Sequence, residues 1–327
     1  MKHVSILIPK GDFILSSALG AYKVFNCANN YLMSVGKYNH PFFTIDLVGL
    51  SDETQLYNGL FSVKPNKLIS DVEKTDVIIV ATILGDFDKS IELNREFIPW
   101  IKKQYSQNQA EIASLCTGAF LLAETGLIDG KSCSTHWANA GDFAKRYPKI
   151  NVVPSEIIVE DCGIYSSGGA YSFLNLMVYL VEKYTGKEAA IWVSKFLEID
   201  YNRVNQDQFY IFNGQKEHND DEIMNAQNFI EENYSKKLMI EDLANRFAIS
   251  TRNFIRRFKK ATNNTPIEYI QRVKVEAAKE QLETTDCTIN EIMFNVGYLD
   301  AKSFRNLFRK YTGMLPLDYK LKYSRTQ

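Results

Sequence analysis

The sequence predicts an α/β domain followed by an all-α domain, and three observations carry that prediction. Over roughly the first two thirds, short apolar runs alternate with helical patterns. Over the last hundred residues, a helix-turn-helix pattern occurs twice, about fifty residues apart. Between them, Asn202 to Asp221 is polar, with Asn213-Gly214 and an acidic run over 217–221. A chain of 327 residues also exceeds one average domain. The expected boundaries are 1–200 for the first domain, 201–220 for a linker and 221–327 for the second domain.

In the first domain the candidate strands are Val4 to Ile8, Phe42 to Leu50, Val77 to Ala81, Glu111 to Leu115 and Gly163 to Ser166. Helical patterns at Ser17 to Met33, Asn94 to Tyr105, Gly118 to Thr125 and Ala170 to Tyr184 separate them. Strand and helix in alternation argue for a doubly wound, mostly parallel sheet with helices on both faces.

In the second domain Ile240, Leu243, Ala244 and Phe247 fall on one helical face, and Ile289, Ile292, Met293 and Val296 repeat that spacing. Ser250 and Asp300 stand where a second helix would be capped. Those second helices would bury Phe254 and Phe258 in the first unit, and Phe304, Leu307, Phe308 and Tyr311 in the second. Gly297 sits where the chain turns. Thr265-Pro266-Ile267-Glu268 and Thr288-Ile289-Asn290-Glu291 read as capping boxes. The helix between the units would bury Ile267, Ile270, Val273 and Ala277.

The outer faces of the two second helices are basic. Arg252, Arg256, Arg257, Lys259 and Lys260 crowd the first; Lys302, Arg305, Asn306, Arg309 and Lys310 crowd the second. A solvated charged face is the ordinary fate of such residues. Here acidic residues are nearly absent from both stretches, and both occupy the place of a recognition helix. Arg reads guanine edges through two donors, and Lys holds phosphates, so the pattern points to a bipartite reader of duplex DNA.

Charge agrees. The net charge of −1 conceals 18 basic and 13 acidic residues from Glu222 onward, which leaves the rest of the chain at about −6. No apolar run is long enough to span a membrane. The N-terminus opens on the strand-like Val4 to Ile8, unlike a signal peptide, so a cytoplasmic location is expected. Five cysteines without paired spacing argue against a disulfide framework or a metal site. No cofactor is expected.

One segment of the first domain carries possible chemistry. Ile112 to Phe120 reads as strand, small-residue turn and helix start, which would place Cys116 on an exposed elbow beside helix N-terminal N–H groups. Those groups favour a thiolate and can bind an oxyanion, Thr117 N–H being the expected donor. His136 is the candidate base. The plain alternative is a buried structural cysteine and an unrelated histidine.

The stretch from about Leu238 to Tyr323 resembles the DNA-binding domain of AraC/XylS-family transcription regulators. The matching residues are Glu241-Asp242-Leu243-Ala244, Ser250, Phe258-Lys259, Thr265 to Ile270, Ala277, Glu291-Ile292, Val296-Gly297-Tyr298, Ser303-Phe304, Phe308-Arg309-Lys310, Thr312-Gly313, Pro316 and Tyr319. The resemblance implies base-facing positions at Arg252, Ile255 and Arg256, then at Ala301, Lys302, Arg305 and Asn306, with Lys259 and Arg309 farther along the same helices on the DNA. Four residues depart from the pattern. Met239 replaces a Thr or Ser cap and Met293 a small Ala, while Ile255 and Ala301 are limited to apolar contact such as a thymine methyl.

The first domain resembles the class I glutamine amidotransferase-like superfamily, in the GlxA-type form fused to AraC-type domains. The residues carrying this are Ser114 to Phe120, Ala123, Gly126-Leu127, Asp129-Gly130, Thr135-His136-Trp137 and Ser166 to Gly169. The implied fold is flavodoxin-like, with its pocket at the elbow. The pocket would be walled by Ser17, Gly85, Cys116, Thr117, His136, Ser167, Gly168 and Gly169. Enzymatic relatives use the elbow Cys as nucleophile. Here Ser17 stands where relatives hold a carboxylate, Thr117 where protease-like relatives have His, and no late His-x-Glu pair occurs. Catalysis is therefore not expected; if the domain were active, Cys116 and His136 would carry it.

The resulting expectation is a homodimeric, sequence-specific transcription regulator, an activator by family habit. It would engage RNA polymerase and respond to a small effector, amino-acid-like or amine-like. A quaternary amine would call for an aromatic cage, with Tyr22, Trp137 and Tyr171 near the pocket in sequence. The rival readings are a Cys116-dependent hydratase or hydrolase and a thiol redox sensor, each fused to a DNA-binding domain.

Overall fold

The computed structural model describes residues 1–203 and 205–324. Val204 and residues 325–327, which the expected boundaries 201–220 and 221–327 take in, lie outside the described residues. The chain divides into two compact units, Met1–Gln206 and Asp207–Gln327.

The first unit opens with β1 (Lys2–Ile8), α1 (Leu15–Ser34), β2 (Phe43–Gly49), a short hairpin of β3 (Thr54–Leu56) and β4 (Phe61–Val63), and β5 (Lys67–Leu68). Next come β6 (Val77–Val80), α2 (Phe87–Leu93), α3 (Phe97–Asn108), β7 (Glu111–Ser114) and α4 (Gly118–Ala123). It closes with β8 (Ser132–Cys133), α5 (Ala140–Arg146), β9 (Asn151–Val152), β10 (Ile158–Asp161), β11 (Ile164–Ser167), α6 (Phe173–Thr185) and α7 (Lys187–Phe196).

Among the described residues, seven strands form the main sheet in the order β10-β11-β7-β6-β1-β2-β5. Every neighbouring pair is parallel except β10 with β11. Alternation along the strands divides the core, since successive side chains leave a strand on opposite faces. Val4, Ile6, Val77 and Ile79 pack with α1, α6 and α7, whereas Leu7, Ile78, Val80 and Ile112 pack with α3 and α4. With both faces covered, the strands read as the near-continuous apolar runs seen in the sequence. All five expected strands and all four expected helices are present. The expected helix from Ala170 begins with a 3-10 turn, Ala170–Ser172, before α6. The hairpin, β5, β8, β9, β10, α2, α5 and α7 were not foreseen; most are too short to show a period.

The second unit contains α8 (Asp221–Glu232), α9 (Ile240–Arg246), α10 (Thr251–Thr262), α11 (Pro266–Thr284), α12 (Ile289–Asn295), α13 (Ala301–Thr312) and α14 (Pro316–Tyr323). Both capping boxes are present: the Thr265 and Thr288 side chains accept from the N–H groups of Glu268 and Glu291, whose carboxylates accept in return. Asp300 caps α13 through Ser303 N–H at 2.8 Å. Ser250 holds the N-cap position of α10 but its side chain makes no cap hydrogen bond, contrary to expectation. Ile267 is also corrected: it is 55% exposed, while Ile270 and Val273 are buried. Position 267 lies one residue past the proline that opens α11, on the side turned to solvent.

The stretch read as a connector is packed. Phe212 is 8% exposed and meets Tyr269 edge-on, and Lys279 donates to the Tyr210 carbonyl at 2.6 Å. Two aromatic side chains inside a polar stretch were enough to dock it on α11.

Candidate functional site

Gly297 and an αL residue at Ala248 (φ +52) turn each first helix into its second. The burial of Phe254 and Phe258 on α10, and of Phe304, Leu307 and Phe308 on α13, fixes which sides face outward. Arg252, Ile255, Arg256 and Lys259 are exposed on α10. Lys302, Arg305, Asn306 and Arg309 are exposed on α13, with Ala301 half-buried at its start. Among the described residues, no ion pair ties these cations to a carboxylate. Arg256 donates to Asn253 at 2.8 Å and Arg305 Nε to the Ala301 carbonyl at 3.1 Å, both along their own helices.

Arg257 is different. Its Nε and Nη2 clasp Asp220 at 2.9 and 2.5 Å, and Nη2 also reaches Glu222 at 2.5 Å. Asp220 is at the same time the N-cap of α8. Sequence spacing placed Arg257 with the outer cations; tertiary packing brings it two carboxylates from outside its own helix.

In the first unit the elbow forms as expected. Cys116 adopts φ +54, a left-handed conformation unusual for a residue with a side chain. Gly118 must lack a side chain, because a Cβ would stand 2.5 and 2.7 Å from the Val80 and Ala81 carbonyl oxygens. The elbow lies past the carboxyl end of β7, on the side of the sheet where open α/β folds place ligands.

The sequence left the thiol between an exposed elbow and a buried structural cysteine, and the structure has the buried one. Cys116 is 2% exposed, and burial pushes its pKa up despite hydrogen bonds from the backbones of Ala170 and Thr117. An exposed, thiolate-favouring elbow is therefore not what the chain builds. His136 lies close by. A Cβ on Gly169 would stand 2.3 Å from its ring, and the Thr135 hydroxyl donates to the Cys116 carbonyl at 2.9 Å. Burial lowers the His136 pKa. Its Nδ1 accepts from Ala138 N–H at 3.1 Å, so a backbone donor holds the place a triad's carboxylate would take.

Most polar groups of the other expected wall residues hold backbone. Ser17 donates to the Ile14 carbonyl at 2.7 Å and accepts from Thr82 N–H. Thr117 donates to the Ile83 carbonyl at 2.6 Å, and Ser167 accepts from Cys116 N–H. Gly85, at φ +79, is exposed after β6. Tyr171 is 64% exposed and Tyr22 38%.

Two residues bearing on this site were not singled out from the sequence. Gln206 is 2% exposed; its amide donates to the Thr135 and Pro154 carbonyls at 3.1 and 2.6 Å and accepts from Gly169 N–H at 2.8 Å. A Cβ on Gly168 would stand 2.8 Å from that amide. Ser172 is fully buried, and its hydroxyl has no hydrogen-bond partner among the described residues. A glutamine in a polar stretch and a serine before a helix carry no sequence signal for such roles.

Comparison with known proteins agrees with this geometry. Residues 243–322 match a family of helix-turn-helix domains, and residues 31–183 match the DJ-1/PfpI family. The HTH-type transcriptional regulator GbdR of Pseudomonas aeruginosa is 23% identical across 94% of this chain and 81% of its own length. The HTH-type transcriptional regulator ArgR of the same species is 26% identical across 65% of each chain. Among solved structures, a protein from Vibrio parahaemolyticus shares the fold, with a TM-score of 0.53 at 24% identity over 60% of this chain and 98% of that one. No described helix is long and apolar enough to cross a membrane. The chain thus joins a DJ-1/PfpI domain to an AraC-type helix-turn-helix domain and is similar along most of its length to HTH-type transcriptional regulators.

Proposed function

We propose that this regulator reads duplex DNA through Arg252, Ile255, Arg256 and Lys259 on α10 and through Ala301, Lys302, Arg305, Asn306 and Arg309 on α13. The observation that carries the reading is the pair of second helices whose outward cations lack carboxylate partners among the described residues, while Arg257 beside them is taken up by Asp220 and Glu222. Cations held for the fold find partners within it, and those left over suit phosphates and guanine edges. The chain acts in the cytoplasm as a homodimer and an activator that engages RNA polymerase.

The first unit senses a small metabolite and does not catalyse. A buried thiol with a raised pKa, a histidine oriented by a backbone N–H and a serine in place of an acid supply no activated nucleophile. An amino-acid- or amine-like effector would enter between the Gly85 loop, His136 and Tyr171, and displace or engage the loop Gly169 to Ser172. Gln206 is bonded to that loop and is the last residue of its unit, so a shift at Gly169 reaches the chain that continues into the DNA-binding unit. The effector then biases the arrangement of the DNA-binding units by its preference for one state.

A thermal-shift screen of the full chain against amino acids, amines and small amides tests this, with Cys116→Ala in parallel. A compound at a hundred times its Kd adds about 2.7 kcal/mol of stability. A hit shared by both proteins supports the sensor. A compound consumed only when Cys116 is present refutes it in favour of an enzyme.

A further inference from the structure

Among its described residues the second unit has two hydrophobic cores, one for each helix-turn-helix half. Ile223, Leu243, Phe254 and Phe258 belong to the first; Ile292, Val296, Phe304 and Phe308 belong to the second. The 19-residue α11 passes along both, and Tyr234 packs against both. A shared helix sets the distance between two halves, yet their rotation about it depends on whatever else joins them.

One polar junction does so. Lys274, on α11, is 7% exposed. Its Nζ lies 2.9 Å from the Val296 carbonyl oxygen and 3.5 Å from those of Gly297 and Lys236. It also sits 5.2 Å from the centre of the Tyr298 ring. Val296 is the C-cap of α12 and Gly297 opens the turn into α13, whereas Lys236 lies in the loop that leads to α9. Gly297 closes the same junction from the other side. At φ +75, a Cβ there would stand 2.1 Å from the Ser235 carbonyl oxygen and 2.8 Å from Lys274 Nζ.

Two loops, one from each half, therefore meet around one buried ammonium. No carboxylate pairs with Lys274 among the described residues. An ammonium carries three donors and suits the exposed carbonyls at a helix C-terminus, where the peptide dipoles are negative. Burying it without a counter-ion is a poor route to stability, and an apolar side chain would fill the space at less cost. Its advantage is directional: it holds three carbonyls of two loops at one point.

We propose that Lys274 is a positioning residue for DNA reading, which locks the turn before α13 to the loop before α9 and so fixes the spacing and phase of the two recognition helices. This rests on the DNA-reading function proposed above. Two linked modules gain affinity only if both reach their segments together. A loosened junction lowers that gain and leaves each module's own contacts intact.

The test uses the full chain and a duplex enriched from random DNA by the wild-type protein. Shorter duplexes carry each protected segment alone, and a further one has a single base pair inserted between the segments. For K274M, affinity for the full duplex is expected to fall about 10- to 100-fold, with each single-segment affinity within about threefold of wild type. The wild type rejects the inserted base pair; the variant discriminates against it much less. G297A, which pushes the same loops apart sterically, is expected to show the same split. Should K274M not fold, K274Q is read by the same criteria. Equal losses on full and single-segment duplexes, or undiminished rejection of the insertion in a folded variant, overturn the proposal. A wild-type chain that enriches no duplex overturns DNA reading itself, and this inference with it.

Discussion

Arg256 and Arg257 are neighbours on one helix, and the structure predicts opposite consequences for their loss. Replacing Arg257 with Ala removes a two-pronged clasp on Asp220 and a contact to Glu222. The guanidinium is 26% exposed, so solvent screens the pair in part. A network of this kind contributes about 1–2 kcal/mol, since charge-assisted and bidentate geometry raises it above an ordinary surface pair. For a unit of this size, each kcal/mol moves the melting temperature by roughly 3–6 °C, so Arg257→Ala should lower the melting of the second unit by about 3–12 °C. Affinity for operator DNA, measured well below that temperature, should hold. Arg256→Ala should do the reverse, with stability unchanged within about 0.5 kcal/mol and specific binding weakened by about 1–3 kcal/mol. Acid titration adds a signature. The Arg257 guanidinium holds the Asp220 carboxyl below its usual 3.8. That contribution is present above the unfolded value and is lost as pH falls through the depressed folded value. Arg257→Ala should therefore flatten this part of the acid limb. Thermal scans and fluorescence anisotropy on the two variants decide the matter: unchanged melting and lost DNA binding in Arg257→Ala would show that it reads DNA after all.

Three further outcomes are expected. Cys162 is exposed and Cys116 buried with a raised pKa, so iodoacetamide should label Cys162 first, with Cys116 reacting at least about tenfold more slowly until the chain unfolds; comparable rates in peptide mapping would restore the thiol-sensor reading. Burial lowers the folded pKa of His136 beneath its usual 6.5, so the unfolded chain binds the extra proton between the two values. Stability from this group is complete above 6.5 and declines as pH falls through the folded value, and His136→Asn should remove that part of the slope in melting temperature against pH. Met239 occupies the N-cap of α9 without a side-chain hydrogen bond and is 46% exposed, so Met239→Ser should stabilise the second unit by about 1 kcal/mol in denaturant titration.

The sequence by itself determined the parts governed by local chemistry. Strand runs such as Val77 to Ala81 are apolar because a parallel sheet covers both faces, and that shows as composition. The capping boxes at Thr265 and Thr288 need only residues three apart. The elbow at Cys116 was legible because a sharp turn into a helix requires small neighbours such as Gly118. Tertiary structure decided whatever depends on partners far along the chain. Arg257 could not be separated from Arg256 until Asp220 arrived from 37 residues away. The sequence left Cys116 between an exposed elbow thiol and a buried structural one; desolvation is set by everything packed over the elbow and outweighs the nearby N–H groups. Gln206, Ser172 and Lys274 carry no periodicity or motif; Gln206 and Lys274 take their meaning from backbone groups and Ser172 from its burial, which only the folded chain supplies.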